Sequence, residues 1–502
     1  MDGSIARRQD VSEEVEAAEE QPIKQRKNGL YPEVSDELAE LMKSEWADTE
    51  LHDLRPIAQA PHAARRRAAL SARFPGERLV IPAGNLKTRA NDTEYPFRAS
   101  SEYVHLTGDQ TQDAILVLEP AKPAKDAKSG EAGEGHDATA YLLPRSSREN
   151  GEFWLDGQGE LWTGRRNSLA EGAQLLGLPC ADVREVIAKL AVATGPVRVV
   201  RGYDAAVEGA LTDKVTAERD AELKEFLSEL RLVKDEWEIG ELQAAVDSTT
   251  RGFEDVVKVL DKAEATSERY IEGTFFLRAR VEGNDIGYGS ICAAGPHATT
   301  LHWVRNDGPV RSGELLLLDA GVETHSLYTA DVTRTLPVNG RFSDIQRKIY
   351  DAVYASQQAG IAAVKPGAAY RDFHDAAQRV LAEKLVEWGL VEGPVDRVLE
   401  LALQRRWTLH GTGHMLGLDV HDCAHARTET YVDCVLEPGM VLTVEPGLYF
   451  QADDVSVPAE YRGIGVRIED DILVTADGSR NLSAALPRRS DEVEAWMAGL
   501  KG

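Results

Sequence analysis

Cysteine is scarce in this chain. The four present among 502 residues, Cys180, Cys292, Cys423 and Cys434, are scattered with no CxxC pair, which argues against a zinc ribbon or a disulfide framework and fits a reducing, cytoplasmic setting. Long apolar runs are missing too. No stretch of about eighteen apolar residues occurs, so nothing reads as a membrane span. Residues 1–27 are acidic and lack an apolar centre, so they do not read as a secretory signal. Positive charge is in deficit: 57 Lys and Arg against 84 Asp and Glu leave a net charge of −27, which repels nucleic acid and anionic lipid and makes both poor partners. Several common catalytic signatures are also absent. There is no HExxH, no P-loop and no GxGxxG between a strand and a helix. Around Ser290 the run Gly287-Tyr-Gly-Ser-Ile-Cys292 is out of register for the nucleophile elbow GxSxG.

The length predicts two domains. Residues 1 to about 30 read as a polar tail. Residues 35–46 have Leu38, Leu41, Met42 and Trp46 at helical spacing behind a Ser35 cap. From about 60 to 230 helical patterns (63–73, 169–176, 183–192) alternate with strands (78–82, 113–119, 139–143, 197–200). Residues 121–138, rich in Lys, Gly and Glu with no apolar period, read as a surface insertion. This half is expected to be an α/β domain for packing and oligomerisation. A helical stretch over 217–260 joins it to the second half, which mixes helices (342–359, 370–388, 394–405) with apolar strands. The expected division is a tail and helix over 1–50, an N-terminal domain over 51–230 and a catalytic domain over 231–502.

The chemistry concentrates in the second half. The run His410-Gly-Thr-Gly-His414-Met-Leu-Gly-Leu-Asp-Val-His421-Asp422 holds three of the twelve histidines, and its glycines argue against one regular helix carrying all three. Three strands end on acids. Glu314-Leu-Leu-Leu-Leu-Asp319 is continuously apolar, as strands buried on both faces are. Val441-Leu-Thr-Val-Glu445 stops at a Pro-Gly turn. Residues 463–474 read as one alternating strand with Arg467 and Glu469 on a common face, opposite Val466 and Ile468. Residues 328–335 alternate as well, with Asp331, Thr333 and Thr335 on one face. A single strand-end acid is usually solvated. Four of them in apolar strands, with Arg467 as the one obvious cation, would cost roughly several kcal/mol each if buried unpaired. Bound metal resolves that conflict. Oxygen-rich ligands with one imidazole suit Mn²⁺ or a similar ion better than a structural zinc. Four negative charges exceed the needs of one divalent ion and point to two, about 3.5–4 Å apart, the arrangement of metal-assisted hydrolysis.

The order Asp319, Asp331, His414, Glu445, Glu469 resembles the five-ligand set of the pita-bread metallopeptidases, which include methionine aminopeptidase, prolidase and aminopeptidase P. The local sequences are most similar to bacterial aminopeptidase P. They include Leu318-Asp-Ala-Gly, Asp331-Val-Thr-Arg-Thr-Leu-Pro-Val-Asn-Gly340, His410-Gly-Thr-Gly-His414, Gly417-Leu-Asp-Val-His-Asp422, the run from Leu436 to Tyr449, and Tyr461-Arg-Gly-Ile-Gly-Val-Arg-Ile-Glu-Asp-Asp471. In the first half, residues 96–108 and Leu161-Trp-Thr-Gly-Arg-Arg166 resemble the same family's N-terminal domain. One departure is that Asp319 and Asp331 stand twelve apart, one more than in bacterial aminopeptidase P, with the extra residue in the turn over 323–329.

The resemblance implies an α/β (α+β) fold, with a creatinase- and prolidase-like N-terminal domain followed by a C-terminal pita-bread domain. It implies two divalent ions, expected to be Mn²⁺, with Asp319 binding one bidentately and Asp331 and Glu469 bridging. His414 and Glu445 complete separate coordination spheres, and Glu445 doubles as the proton shuttle. The expected reaction removes the N-terminal residue from peptides with proline second. The assembly is expected to be a homodimer or homotetramer. His421 and His302 match substrate-contacting positions. His410 is a further substrate-side candidate, with the satisfaction of glycine-loop backbone groups as an equal alternative. Arg467 is expected to fix a carboxylate ligand. Tyr288 and Tyr449 match residues near the metals and the proline pocket, although core packing is the default for each. His105, His297 and His425 are expected at the surface. The nearest alternative is a prolidase confined to Xaa-Pro dipeptides, and a more distant one is an inactive pita-bread binding protein.

Overall fold

The computed structural model describes residues 23, 34–121 and 135–501. Contacts divide the chain into two units, Met1–Lys224 and Glu225–Gly502, and the division falls within the helix Ala217–Glu229. Most of the polar tail and residues 122–134 of the predicted insertion lie outside the described residues.

The first unit is built on a mixed five-stranded sheet in the order Cys180–Asp182, His136–Leu142, Ile115–Pro120, Arg78–Pro82, Val197–Val199. The two outer pairings are parallel and the two inner ones antiparallel. Val80, Val117, Val197 and Val199 meet Val186, Leu190, Val207 and Leu211 in its core. Residues 136–138, read from sequence as the end of an insertion, instead begin a strand. His136, Asp137 and Ala138 pair with Pro120, Glu119 and Leu118, because ladder bonds need backbone groups and not an apolar pattern. The predicted helix is Asp36–Lys43, and Ser35 accepts the Leu38 amide as its cap. Its Leu38 and Leu41 stay exposed. His105 is not at the surface. It lies buried in the helix Ser101–Thr107, where Arg66 and Arg67 donate to the carbonyls of His105 and Leu106 and satisfy that helix end.

In the second unit Leu315–Ala320 is the middle strand between Ile291–Ala294 and Val332–Pro337, antiparallel to both. Leu316, Leu318 and Ala320 pack with Phe253, Val256 and Phe275 of the helices Glu236–Lys258 and Glu268–Glu282. Strand alternation therefore turns Leu317 and Asp319 to the opposite face, where Leu317 meets Ile291 and Tyr449. A second sheet joins Val441–Val444, Asp470–Thr475 and Gly478–Asn481, and a separate pair joins Gly447–Phe450 to Ile464–Arg467.

Three sequence-read elements are interrupted. The strand over 463–474 breaks at Ile468-Glu469. The fully buried Arg334 guanidinium donates to the Glu469 carbonyl at 2.7 Å, the Thr333 carbonyl at 2.9 Å and Asp470 Oδ1 at 2.7 Å, which bends the chain from one sheet to the next. Of residues 328–335 only Val332 onward enters the ladder, while a turn closed by the Thr324 amide on the Tyr328 carbonyl, with Leu327 at φ 71°, takes up the long spacing between Asp319 and Asp331. The helix over 394–405 splits at Ala402, which adopts φ 52° between Val395–Glu400 and a short 3₁₀ turn.

Candidate metal centre

Five chain segments converge on one cavity of about 600 Å³. Asp319 reaches it from the second-last position of its strand, and Asp331 from just before the strand Val332–Pro337. Glu445 sits between two strands and Glu469 at the break described above. The loop before Met415 runs beside the strand Val441–Val444: the His414 amide donates to Thr443 Oγ1 at 3.1 Å, its carbonyl accepts the Thr443 amide at 2.9 Å, and the Glu445 amide donates to the Thr412 carbonyl at 2.8 Å. Gly413 is required here, since a Cβ would lie 2.0 Å from the Thr443 carbonyl oxygen. His414 Nε2 thereby lies 3.3 Å from Asp331 Oδ2 and 3.7 Å from Glu445 Oε1.

Ligating atoms of Asp331, His414 and Glu469 all fall within 4.8 Å of one another. Asp319 and Asp331 share the Tyr288 hydroxyl, whose oxygen lies 2.6 Å from Asp319 Oδ1 and 2.5 Å from Asp331 Oδ1, so that its one proton serves the pair. Thr333 Oγ1 donates to Glu469 Oε2 at 2.6 Å while accepting from Arg467 Nε at 3.2 Å. Arg467 completes its fork on Asp319 Oδ2 and, at 3.0 Å, on the Tyr449 hydroxyl.

The charges do not balance within the chain. Burial pushes the Glu445 carboxyl up to about 7, with Asp331 and Asp319 adding to the effect against His414 and Arg467. Burial and the neighbouring carboxylates raise Glu469 far above the usual range, and burial raises Asp319 in spite of Arg467. Burial alone would depress His414, but the Asp331 carboxylate outweighs it and holds the imidazolium to about 9. The cluster thus collects protons wherever it can, which is how a site short of positive charge behaves. The donor set fits divalent ions: oxygen-rich, with one imidazole whose other nitrogen, Nδ1, is 3.1 Å from the Met415 carbonyl and so fixed in its tautomer.

His302 and His421 also line the cavity, with Ile291, Leu301 and Val304 as its apolar wall. His421 is the more exposed of a pair whose rings meet edge-on, 4.3 Å between His414 and His421 centroids. His410 both bonds the glycine loop and faces the cavity. Nδ1 lies 2.6 Å from the Gly411 carbonyl, Nε2 bonds the Tyr449 hydroxyl at 2.8 Å, and the ring lines the cavity 3.7 Å from Glu445 Oε2. Burial, then the Arg467 charge, lowers His410 to about 4. Tyr288 and Tyr449 do more than fill core, because both hydroxyls bond into the carboxylate network. His425 is exposed, as expected, whereas His297 is half-buried, 2.8 Å from Glu268 and stacked on Trp303.

The role of Arg467 leads to one prediction. Arg467→Lys keeps the charge but loses the fork on Asp319, Thr333 and Tyr449, and is expected to weaken divalent-ion affinity by about 10–100-fold in calorimetric titration. Unchanged affinity would show that Asp319 needs no such clamp.

Sequence reasoning missed several contributors. Thr333 was placed on the Asp331 face but not joined to Glu469. Arg334 and Asp471, which accepts the Asp331 amide at 3.2 Å, were not singled out. Neither was the buried Asp422, held by Arg231 at 3.0 Å and Lys234 at 3.2 Å beneath His421. Their partners lie far away in sequence, so no local pattern pointed to them.

Residues 240–476 match the model of metallopeptidase family M24, and residues 63–195 match that of the aminopeptidase P N-terminal domain. The chain is similar to Xaa-Pro aminopeptidase 1 of Streptomyces coelicolor, 80% identical over 483 residues that cover 96% of each chain. It is 67% identical to Xaa-Pro aminopeptidase 2 of the same organism over 478 residues, covering 95% of this chain and 99% of the relative. Among solved structures, the aminopeptidase PepP of Pseudomonas aeruginosa superimposes with a TM-score of 0.77 at 30% identity, covering 89% of this chain and 100% of that one.

Proposed function

The chain belongs to metallopeptidase family M24, and on that premise we propose how it acts as an Xaa-Pro aminopeptidase, releasing the N-terminal residue of peptides whose second residue is proline. The observation that carries this reading is the meeting of three buried carboxylates, the partly buried Glu445 and His414 at one cavity with Arg467 among them. Asp319, Asp331, His414, Glu445 and Glu469 are assigned as ligands of two divalent ions, Mn²⁺ first among the candidates. Bound there, the ions would polarise the scissile carbonyl and acidify water.

The protein's own groups supply the rest. Glu445, which lines the cavity beside His414 and His410, can take a proton from water and hand it on. That proton is needed because an Xaa-Pro bond is a tertiary amide, whose nitrogen must gain a proton to leave as an amine. His421 is lowered by burial and by His414, and His410 by burial and by Arg467, so both rings are neutral at pH 7. The His421 ring can donate one hydrogen bond, whereas His410 already meets the Gly411 carbonyl and the Tyr449 hydroxyl. With His302, His421 is assigned to the substrate backbone and the proline carbonyl, and His410 to the substrate-side wall of the cavity. Ile291, Leu301 and Val304 offer an apolar wall to substrate side chains. We assign catalysis to residues 231–502. A homodimer or homotetramer follows from the resemblance alone. The four free cysteines support a cytoplasmic location.

The test is peptide cleavage with metal counting. Mn²⁺-loaded protein is expected to release the first residue of an Arg-Pro-Pro peptide, to leave peptides without proline second intact, and to saturate near two ions per chain. Cleavage confined to Xaa-Pro dipeptides would make it a prolidase, and saturation at one ion would refute the paired-metal assignment.

A further inference from the structure

The loop over 295–308 carries His302 to the cavity, yet it has little regular structure of its own: a 3₁₀ turn, Gly295–Thr299, then bends and turns. Such a segment holds a ligand-facing side chain in place only if something outside it fixes the backbone. The fixing group is Glu268, the first residue of the helix Glu268–Glu282, whose side chain is completely buried. Its two oxygens receive four donors. Oε1 takes the Ala294 amide at 2.8 Å and His297 Nδ1 at 2.8 Å. Oε2 takes Trp303 Nε1 at 2.9 Å and the Gly308 amide at 2.7 Å. The Glu268 amide returns a bond to the Gly308 carbonyl at 3.0 Å. One carboxylate therefore ties the strand before the loop, two side chains within it and its far end to one point.

Neighbouring geometry closes the structure further. The His297 and Trp303 rings stack 3.9 Å apart at 20°. Gly308 passes so close that a Cβ would sit 2.1 Å from the His297 ring. Asn306, buried and in the left-handed region at φ 48°, bonds the Cys292 amide and the Ser290 carbonyl. Between these anchors Leu301, His302 and Val304 project into the cavity. A carboxylate with two donors per oxygen is a strong, directional clamp.

We propose that Glu268 is a positioning residue for the reaction: its four-donor clamp sets the loop so that His302 meets the peptide. This rests on the assignment of His302 to the substrate in the preceding reading. Glu268 touches neither substrate nor metal ligand, so its loss should appear in substrate binding and leave the metals alone.

Glu268→Gln places an amide NH₂ against two donors. It is expected to raise KM for an Xaa-Pro-Xaa tripeptide about tenfold, with kcat within about threefold and two ions still bound. In a His302→Ala background the same substitution should lose most of its effect on KM, because it acts through the missing ring. Trp303→Phe, which removes one of the four bonds and keeps the ring stack, should raise KM by about threefold and carries the test if Glu268→Gln does not fold. Full additivity with His302→Ala, or a fall in ion content with KM unchanged, would overturn the proposal. Failure of the underlying reading would show separately, as wild-type protein that leaves the tripeptide intact.

Discussion

Glu445→Ala is expected to lower kcat on an Arg-Pro-Pro peptide by about 10³-fold or more, the scale of a lost general base compounded by a lost metal contact. The fold should survive. The Glu445 backbone amide keeps its bond to the Thr412 carbonyl at 2.8 Å, and among the described residues the side chain forms no arginine ion pair whose loss would strand a buried cation. Burial, with Asp331 and Asp319, already works against this carboxylate, raising it to about 7, so removing it relieves a cost in the metal-free chain. Metal-free Glu445→Ala should therefore melt at or above the wild-type temperature at pH 8, while turnover collapses. Steady-state kinetics beside a melting curve checks both, and wild-type turnover in the variant would remove Glu445 from the mechanism.

Stripping the divalent ions should abolish turnover and also make stability depend steeply on pH. In the metal-free cluster burial raises Glu445 to about 7, burial and its neighbours raise Glu469 and Asp319, and the Asp331 carboxylate raises His414 from 6.5 to about 9. Every one of these shifts makes the folded chain hold more protons than the unfolded one, so the stability they contribute is lost as pH rises. His410, lowered by burial to about 4, and His421, also lowered, act in the opposite sense, but only below their ordinary 6.5. Above pH 6.5 the raised groups titrate unopposed. The His414 shift alone corresponds to something on the order of 3 kcal/mol lost by pH 9. The chelated protein should melt roughly 5 °C or more lower at pH 9 than at pH 6.5, and added Mn²⁺ should flatten the dependence by taking the place of the protons. A chelated protein with one melting temperature across that range would contradict the charge imbalance on which the metal assignment stands.

Much of the candidate site was legible in the linear chain because burying charge is costly. Asp319 closes a run of four leucines, Glu445 closes an apolar strand at Pro446, and Asp331 and Glu469 share faces with Thr333 and Arg467. Acids in such settings need a cation, and one arginine is too few for four of them. That inference needs only composition and local period, and the strands Leu315–Ala320 and Val441–Val444 formed where the pattern placed them. Local period also has limits. Residues 463–474 alternate without a fault, yet the strand breaks at Glu469 because a guanidinium 135 positions away takes its carbonyl. His105 and His297 looked like surface residues because nothing near them in sequence shows Arg66 or Glu268 arriving.

The candidate ligands, the excess of acidic charge to be neutralised and the class of chemistry were thus readable from the sequence, since side-chain type and strand period are local properties. What only the tertiary structure decided is how those candidate ligands are aimed. The Arg334 bend that turns Glu469, the Thr333 hydroxyl between Arg467 and Glu469, the Tyr288 hydroxyl shared by two aspartates and the Glu268 clamp behind His302 are all contacts between distant segments. Such contacts follow from which elements pack together, and a hydrogen bond leaves no periodic trace in the residues that make it.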